Sequence, residues 1–279
     1  MLVPLEESDA VTSILETAWL AAAPFGAYIE GVHIRRALPG IVVADVGGYA
    51  AATPDLMQSF EEEESQRAAR VRARFEDFMR AKGSTLGVAV TEGPSAGWAD
   101  DIPPGDLAIG MRARLFDLSV VGRPRAGTSA PAMSTLETVL FDSGRPILIA
   151  PPSAPTSLGE TIVVSWNGST ETARALALAM PFLVRARRII VLAVEGIMVP
   201  GPSATEVARY LKRNDVPAET REVAERGGGG ETILREAETL GADLLIKGAY
   251  THSRLRQMIL GGATSHILAE AQLPVLMAH

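Results

Sequence analysis

Through residues 161–278 short apolar runs alternate with longer amphipathic stretches, and this alternation restricts the fold more than any other feature of the chain. The runs predict strands near 161–166, 188–194, 218–223, 242–247 and 274–278. The stretches between them predict helices near 170–184, 203–213, 230–240 and 262–271, with Ile233, Leu234 and Leu240 forming one apolar face. Strands separated by helices cannot close as hairpins. Right-handed crossovers place them in a parallel sheet covered on both faces, with a ligand crevice at the strands' carboxyl ends. Asn167-Gly168-Ser169, Val194-Glu195 and Gly248-Ala249-Tyr250 all reach that rim, although they lie far apart along the chain.

The same unit occurs twice. Val3-Pro4-Leu5-Glu6-Glu7-Ser8 aligns with Val164-Ser165-Trp166-Asn167-Gly168-Ser169, each ahead of an alanine-rich helical pattern. DLSVVGRP from Asp117 aligns with DLLIKGAY from Asp243, and RPILIAPP from Arg145 with LPVLMAH from Leu273. Weak identity in preserved order indicates duplication. The expected fold is α/β: two tandem doubly wound domains, residues 1–152 and 160–279, each a five-stranded parallel sheet flanked by helices, joined by an exposed linker, PPSAPTSLG, at 151–159.

The first half is less regular. Its first strand has only Met1 to Leu5 to draw on, and residues 38–57, with Gly40, Gly47 and Gly48, show neither period and read as a lid-like excursion. A long helix from Pro54 to Lys82 follows, where Glu63 and Arg67 are spaced for contact on a solvated face.

A net charge of −7, from 26 Lys plus Arg against 33 Asp plus Glu, gives no general attraction for nucleic acid or an anionic membrane, so any anion site must be local. The four histidines, at 33, 252, 266 and 279, and the absence of cysteine leave no zinc pattern. MLVPLEESDA has no basic or apolar leader character and no run approaches a bilayer span, which predicts a cytoplasmic protein. The run Gly227 to Gly230 lacks the lysine and hydroxyl of a P-loop and reads as a flexible connection.

The candidate site is the segment GAYTHSRLRQMILGGAT, Gly248 to Thr264, which follows the apolar run Asp243 to Lys247. Phosphate oxygens need several converging N–H donors, and close backbone approach favours residues without a Cβ, here Gly248, Gly261 and Gly262. Ala263 and Thr264 then fall in a helix's first turn, where free amides, a hydroxyl and the helix dipole favour an anion. His252, Ser253, Arg254 and Arg256 make the intervening loop positive. The plainer alternative is that these are turn glycines and solvated arginines.

This segment resembles the carboxyl-terminal signature of universal stress proteins, G-x2-G-x9-G-(S/T), read as Gly248, then Thr251 in place of the second glycine, then Gly261-Gly262. Val164 to Ser169 is similar to the family's opening V-x-V-D-G-S, and Leu273 to Met277 to its closing P-V-L strand. The resemblance implies a doubly wound five-stranded parallel sheet with ATP at the strand tips in many members, and magnesium accompanying the nucleotide. Carried over by position, Gly248, Thr251, Gly261, Gly262, Ala263 and Thr264 are the phosphate and ribose positions, and Asn167 and Val194 the nucleoside positions. Trp166 stands either beside the adenine or in the core. Asn167 replaces the usual aspartate, Gly262 stands where a hydroxyl is usual, and in the first half Glu6 occupies the Asn167 position while Gly127 stands alone after Gly122. The implied protein binds adenine nucleotide in its second domain in a regulatory or stress-response role, with at most slow hydrolysis, and acts on protein partners that the sequence does not name. Its closing strands, 146–150 and 274–278, would pair as an internal pseudo-dimer, with further association to a homodimer open. The alternatives are a nucleotide-free scaffold and, more remotely, an adenylate- or phosphoryl-transferring enzyme with Glu195 as its strand-tip carboxylate.

Overall fold

Strands and helices alternate in a computed structural model that describes the chain except residues 37–41, 45–47, 51–53, 88–92, 126–130 and 250–261. The first half runs β1 (Leu2–Leu5), α1 (Val11–Ala22), β2 (Tyr28–His33), β3 (Val42–Ala44), β4 (Gly48–Ala50) and α2 (Pro54–Ala81). It continues through β5 (Thr85–Leu86), β6 (Ser95–Ala99), α3 (Asp106–Ala113), β7 (Ser119–Val121), α4 (Met133–Asp142) and β8 (Ile147–Ile149). The second half runs β9 (Thr161–Trp166), α5 (Thr170–Leu178), α6 (Met180–Leu183), β10 (Arg188–Val194), α7 (Ala204–Arg213) and β11 (Glu219–Val223). It closes with α8 (Gly229–Thr239), β12 (Leu244–Gly248), α9 (Ala263–Glu270) and β13 (Val275–Ala278).

Eleven strands form one sheet in the order β11-β10-β9-β12-β13-β8-β7-β1-β2-β6-β5. Within each half every pairing is parallel. The halves meet where β13 runs antiparallel to β8, with Val275 opposite Ile149, Leu276 opposite Leu148 and Met277 opposite Ile147. That register is symmetric about Leu276 and Leu148, as two copies of one strand must be when they meet across a local twofold axis. The proline-entered strands recognised as a repeat are therefore the ones that join. In each half the chain winds outward from the first strand in one direction and returns to its other side, so β1 and β9 mark the switch points of the winding. The first half adds the two-residue β5 beyond β6, and the excursion at 38–57 contains an antiparallel pair, β3 with β4, outside the main sheet.

The inner strands are buried on both faces because helices cover both. Along β9, Ile162, Val164 and Trp166 join one core layer with Ala175 and Leu176 of α5, while Val163 joins the other with Ile233 of α8 and Ile267 of α9. Both layers continue through the junction, one by Leu148 and Leu276, the other by Ile147, Ile149, Val275 and Met277. Helix starts follow from short side chains: Ser169 accepts from Thr172 N at 3.2 Å ahead of α5, and Ser203 with Glu206 closes a capping box ahead of α7. On α2, Val71, Phe75 and Met79 recur at the helical spacing and are buried, and the Glu63–Arg67 pair expected on its outer face is formed. The segment 151–159 is exposed only in its middle, at Ser153, Ala154 and Thr156. Its ends are tied: Ser13 Oγ donates to the Pro151 carbonyl at 2.6 Å, and the Asp243 carboxylate accepts from the N–H groups of Gly159, Glu160 and Thr161 at 3.1, 3.1 and 2.9 Å. Among the described residues no helix is long and apolar enough to cross a membrane.

Candidate functional site

β9 lies between β10 and β12, and the crevice of the second half opens at the carboxyl ends of these strands. A continuous line of contacts crosses that rim. Asn167 Oδ1, just past β9, accepts from Thr172 Oγ1 at 2.6 Å and from Ser169 N at 3.1 Å, which fixes the turn into α5. Thr172 in turn lies against Gly248 at the end of β12. A Cβ on Gly248 would stand 2.7 Å from the Glu171 carbonyl carbon and 2.8 Å from Thr172 Oγ1, and closer still to Thr172 N. The glycine is therefore required by the approach of α5 to β12, an internal contact that the sequence reading assigned to phosphate.

From Gly248 the line passes to the other face of the sheet through Lys247. Its ammonium Nζ donates to the Gly248 carbonyl at 2.8 Å and to Thr264 Oγ1 in the first turn of α9, also at 2.8 Å. Lys247 is only 8% exposed, and burial pulls its pKa from 10.5 down to about 8. Among the described residues no carboxylate is bonded to it or ion-paired with it. The ammonium also sits at the positive end of a helix dipole, beside an N-cap, Gly262, that provides no side-chain oxygen for the first-turn amides. An isolated buried cation next to free amides is a local demand for negative charge. The sequence reading counted Lys247 as the end of an apolar strand; the signal that could have revealed it is the one basic residue closing the run DLLIK.

The C-terminal end of the same helix carries the opposite arrangement. Arg123 follows Gly122, the first-half counterpart of Gly248, and its Nη1 donates to the carbonyls of Ile267 and Leu268 at 2.7 and 2.8 Å. Here the cation agrees with the dipole, joining Ala271 N, 3.1 Å away, on the Ile267 carbonyl and reaching the end carbonyl of Leu268. It is 3% exposed, burial lowers its pKa to about 10, and its Nε and Nη2 have no partner among the described residues. α9 thus spans from the second-half rim to a side chain of the first half.

The sequence-predicted positions divide as follows. Gly248, Gly262, Ala263, Thr264 and Asn167 are linked by the contacts just described, with Thr264 Oγ1 accepting from Lys247. A Cβ on Gly262 would meet nothing within 4 Å, so the hydroxyl residue of the family signature would fit there. Trp166 is 4% exposed, packs in the core and donates from Nε1 to the Pro202 carbonyl at 2.7 Å, which holds the loop after β10 over the rim. Val194 is 1% exposed and faces the opposite core layer, so only its main chain reaches the crevice. Thr251 and Gly261 lie outside the described residues, as do Tyr250, His252, Ser253, Arg254, Arg256 and Gly127. Of the Gly227 to Gly230 run, Gly227 is exposed, while Gly229 and Gly230 are buried and packed rather than part of a loose connection. A Cβ on Gly230 would stand 2.8 Å from His266 Cβ and 2.9 Å from the Ala263 carbonyl, and one on Gly229 would collide with Ile197. Gly230 lets α8 start against the first turn of α9, and Gly229 lets it start against Ile197 in the loop after β10. In the first half, Glu6 Oε2 accepts from Ala132 N, the N-cap of α4, at 2.8 Å. A carboxylate of the chain itself thus takes the place an anion would have, and burial raises its pKa. Among the described residues no group of three His, Asp or Glu is disposed to hold a metal ion.

The geometry defines a doubly wound α/β protein of mostly parallel sheet, with its crevice at a switch point. Compared in three dimensions, the whole chain is similar to a universal stress protein from Archaeoglobus fulgidus, with a TM-score of 0.72 at 18% identity, covering 100% of this chain and 95% of that one. It is also similar to a functionally unknown protein from Pseudomonas aeruginosa, with a TM-score of 0.54 at 15% identity, over 99% of this chain and 91% of that one. At these identities the likeness establishes the fold. In sequence, residues 200–279 match the model of the universal stress protein family. A 50-residue stretch is 40% identical to the universal stress protein Slr1230 of Synechocystis; it spans 18% of this chain and 17% of that protein's length. The chain thus shares its fold with a universal stress protein over its whole length, and its residues 200–279 match that family in sequence.

Proposed function

We propose that residues 160–279 form a unit that binds ATP or a related adenine nucleotide at the β9–β12 rim, and that residues 1–152 form a second unit that binds none and responds to that occupancy in a regulatory, stress-response role in the cytoplasm. The observation that carries this reading is the Lys247 ammonium, buried at the first turn of α9 with Thr264 Oγ1 and without a counter-charge among the described residues. A phosphate there would supply the missing charge and accept from the first-turn amides. Asn167, held by Thr172 and Ser169, stands at the rim where a ribose or base would lie. Magnesium would arrive with the nucleotide through its phosphates, since the described residues offer no metal cluster of their own. The β13–β8 junction makes the two units an internal pseudo-dimer, and Arg123 on α9 provides a direct mechanical link between them.

Calorimetric titration of ATP into the full chain, freed of carried-over ligand, tests this. Saturation at or below millimolar concentration is expected, and a flat titration of protein that remains folded overturns it. The scaffold reading, in which both units act only through protein surfaces, is favoured by one observation: Gly248 is already required by α5. Release of an adenine-absorbing compound on boiling the freshly purified protein decides against the scaffold.

A further inference from the structure

The first-half crevice has chemistry opposite to that of the second. At the carboxyl ends of β1 and β2 lies a cavity of about 220 Å³, below the drug-sized range, into which Glu6, His33, Glu64, Arg36 and Arg67 project. His33 is 7% exposed, and its Nδ1 stands 3.2 Å from the Leu5 carbonyl. A carbonyl only accepts, so Nδ1 carries the proton and Nε2 is left as a lone-pair acceptor. Nε2 is buried without a hydrogen-bond partner. Its nearest charged neighbour, Glu64 Oε2 at 3.7 Å, is also an acceptor and is 4% exposed. Two buried acceptors facing each other require a donor between them.

Burial lowers the pKa of His33, which keeps the ring neutral, and raises that of Glu6, whose carboxylate borders the same space. A cationic donor would relieve both. Glu64 accepts from Arg67 Nη1 at 2.7 Å and from Arg36 N at 3.2 Å, which anchors α2 over the cavity. The Arg36 residue itself is exposed at the mouth. The crevice therefore runs from an acceptor-lined floor to a guanidinium rim, and no trio of its residues is placed to chelate a metal.

We infer that this cavity binds a small zwitterion of the amino-acid class, its ammonium group donating to His33 Nε2 and the Glu64 and Glu6 carboxylates, its carboxylate facing Arg36. A ligand with only one of the two charged ends would satisfy only one end of the crevice. The site is independent of the nucleotide reading, because Glu6 closes the anion position of α4 whichever ligand the second half takes.

The test is thermal unfolding of the full chain with each common free L-amino acid at millimolar concentration, without nucleotide, followed by calorimetry of any that stabilise. Ethylamine, propionate and zinc sulfate serve as probes of the separate ends and of metal binding. At least one small amino acid should raise the unfolding midpoint saturably, with ethylamine and propionate far weaker. His33→Leu should abolish the effect, and Arg36→Ala, at an exposed position, should weaken binding by about tenfold. The inference is overturned if no amino acid stabilises the protein, if the shift survives unchanged in Arg36→Ala, or if zinc alone produces it.

Discussion

Replacing Lys247 with methionine should make the nucleotide-free protein more stable while removing its affinity for phosphate. The lysine that would titrate at 10.5 titrates at about 8 in the folded chain, and at about 1.4 kcal/mol per pKa unit this burial penalty amounts to about 3 kcal/mol. Methionine has similar length and no charge, and the change forfeits two hydrogen bonds, to Gly248 O and Thr264 Oγ1, each worth about 1 kcal/mol net. A gain of about 1 kcal/mol near neutral pH remains. The pH dependence has a definite sign. The unfolded chain holds this proton more tightly than the folded one, so the penalty is fully present below about 8 and disappears as pH rises from about 8 toward 10.5. Wild type should therefore gain on Lys247→Met through that window. Urea unfolding of both proteins, freed of ligand, near neutral pH and again within the window, measures this, and ATP calorimetry on the same samples reads the lost affinity. A variant less stable than wild type by more than about 1 kcal/mol near neutral pH would refute the reasoning, since the ammonium would then have an anionic partner of its own.

Gly248→Ala should destabilise the chain by about 3 kcal/mol in chemical denaturation, because the new methyl must displace the first turn of α5. A neutral result would mean that α5 yields easily. Asp243→Ala strands the three N–H groups of residues 159–161 and should cost about 3 kcal/mol, with faster proteolysis in 151–159 as a second readout. Arg123→Ala should cost about 2 kcal/mol by removing the charged donor from the Leu268 carbonyl and one of two donors from the Ile267 carbonyl. Arg123→Met should recover part of that, because two of the three guanidinium nitrogens have no partner to lose among the described residues.

The second half was legible because its strands, apart from the exposed β11, are buried on both faces and its helices on one, so period and run length separate them cleanly. Observed bounds such as Ala204–Arg213 for α7 and Val275–Ala278 for β13 fall within or beside the predicted spans. The junction was legible for a different reason: a repeated, proline-entered closing strand has an unpaired edge in each copy, and the copies satisfy one another. The β3–β4 pair was not, since Val42–Ala44 and Gly48–Ala50 are too short to show alternation. At the site, sequence identified the glycine at the end of β12 but not the neighbour that requires it, which comes from α5. Contacts of long range in sequence stayed hidden for the same reason. Glu6 read as a charge opposing phosphate, and only the fold brings Ala132 N to its carboxylate. Gly227 to Gly230 read as slack because glycine runs usually are; the closeness of α9 gives Gly230 a packing role, and Ile197 gives Gly229 one.

The central antiparallel seam also governs how large an assembly of sheets this chain can build. Each half arrives with one margin able to recruit a neighbour, and both margins are consumed against each other at Leu148 and Leu276. What remains outermost is β5, two residues long, and β11, whose Glu219, Thr220, Arg221 and Glu222 face water. A truncated border on one flank and a charged one on the other both discourage strand addition. Among the described residues the ribbon ends at eleven strands, with neither border inviting a twelfth from a second molecule.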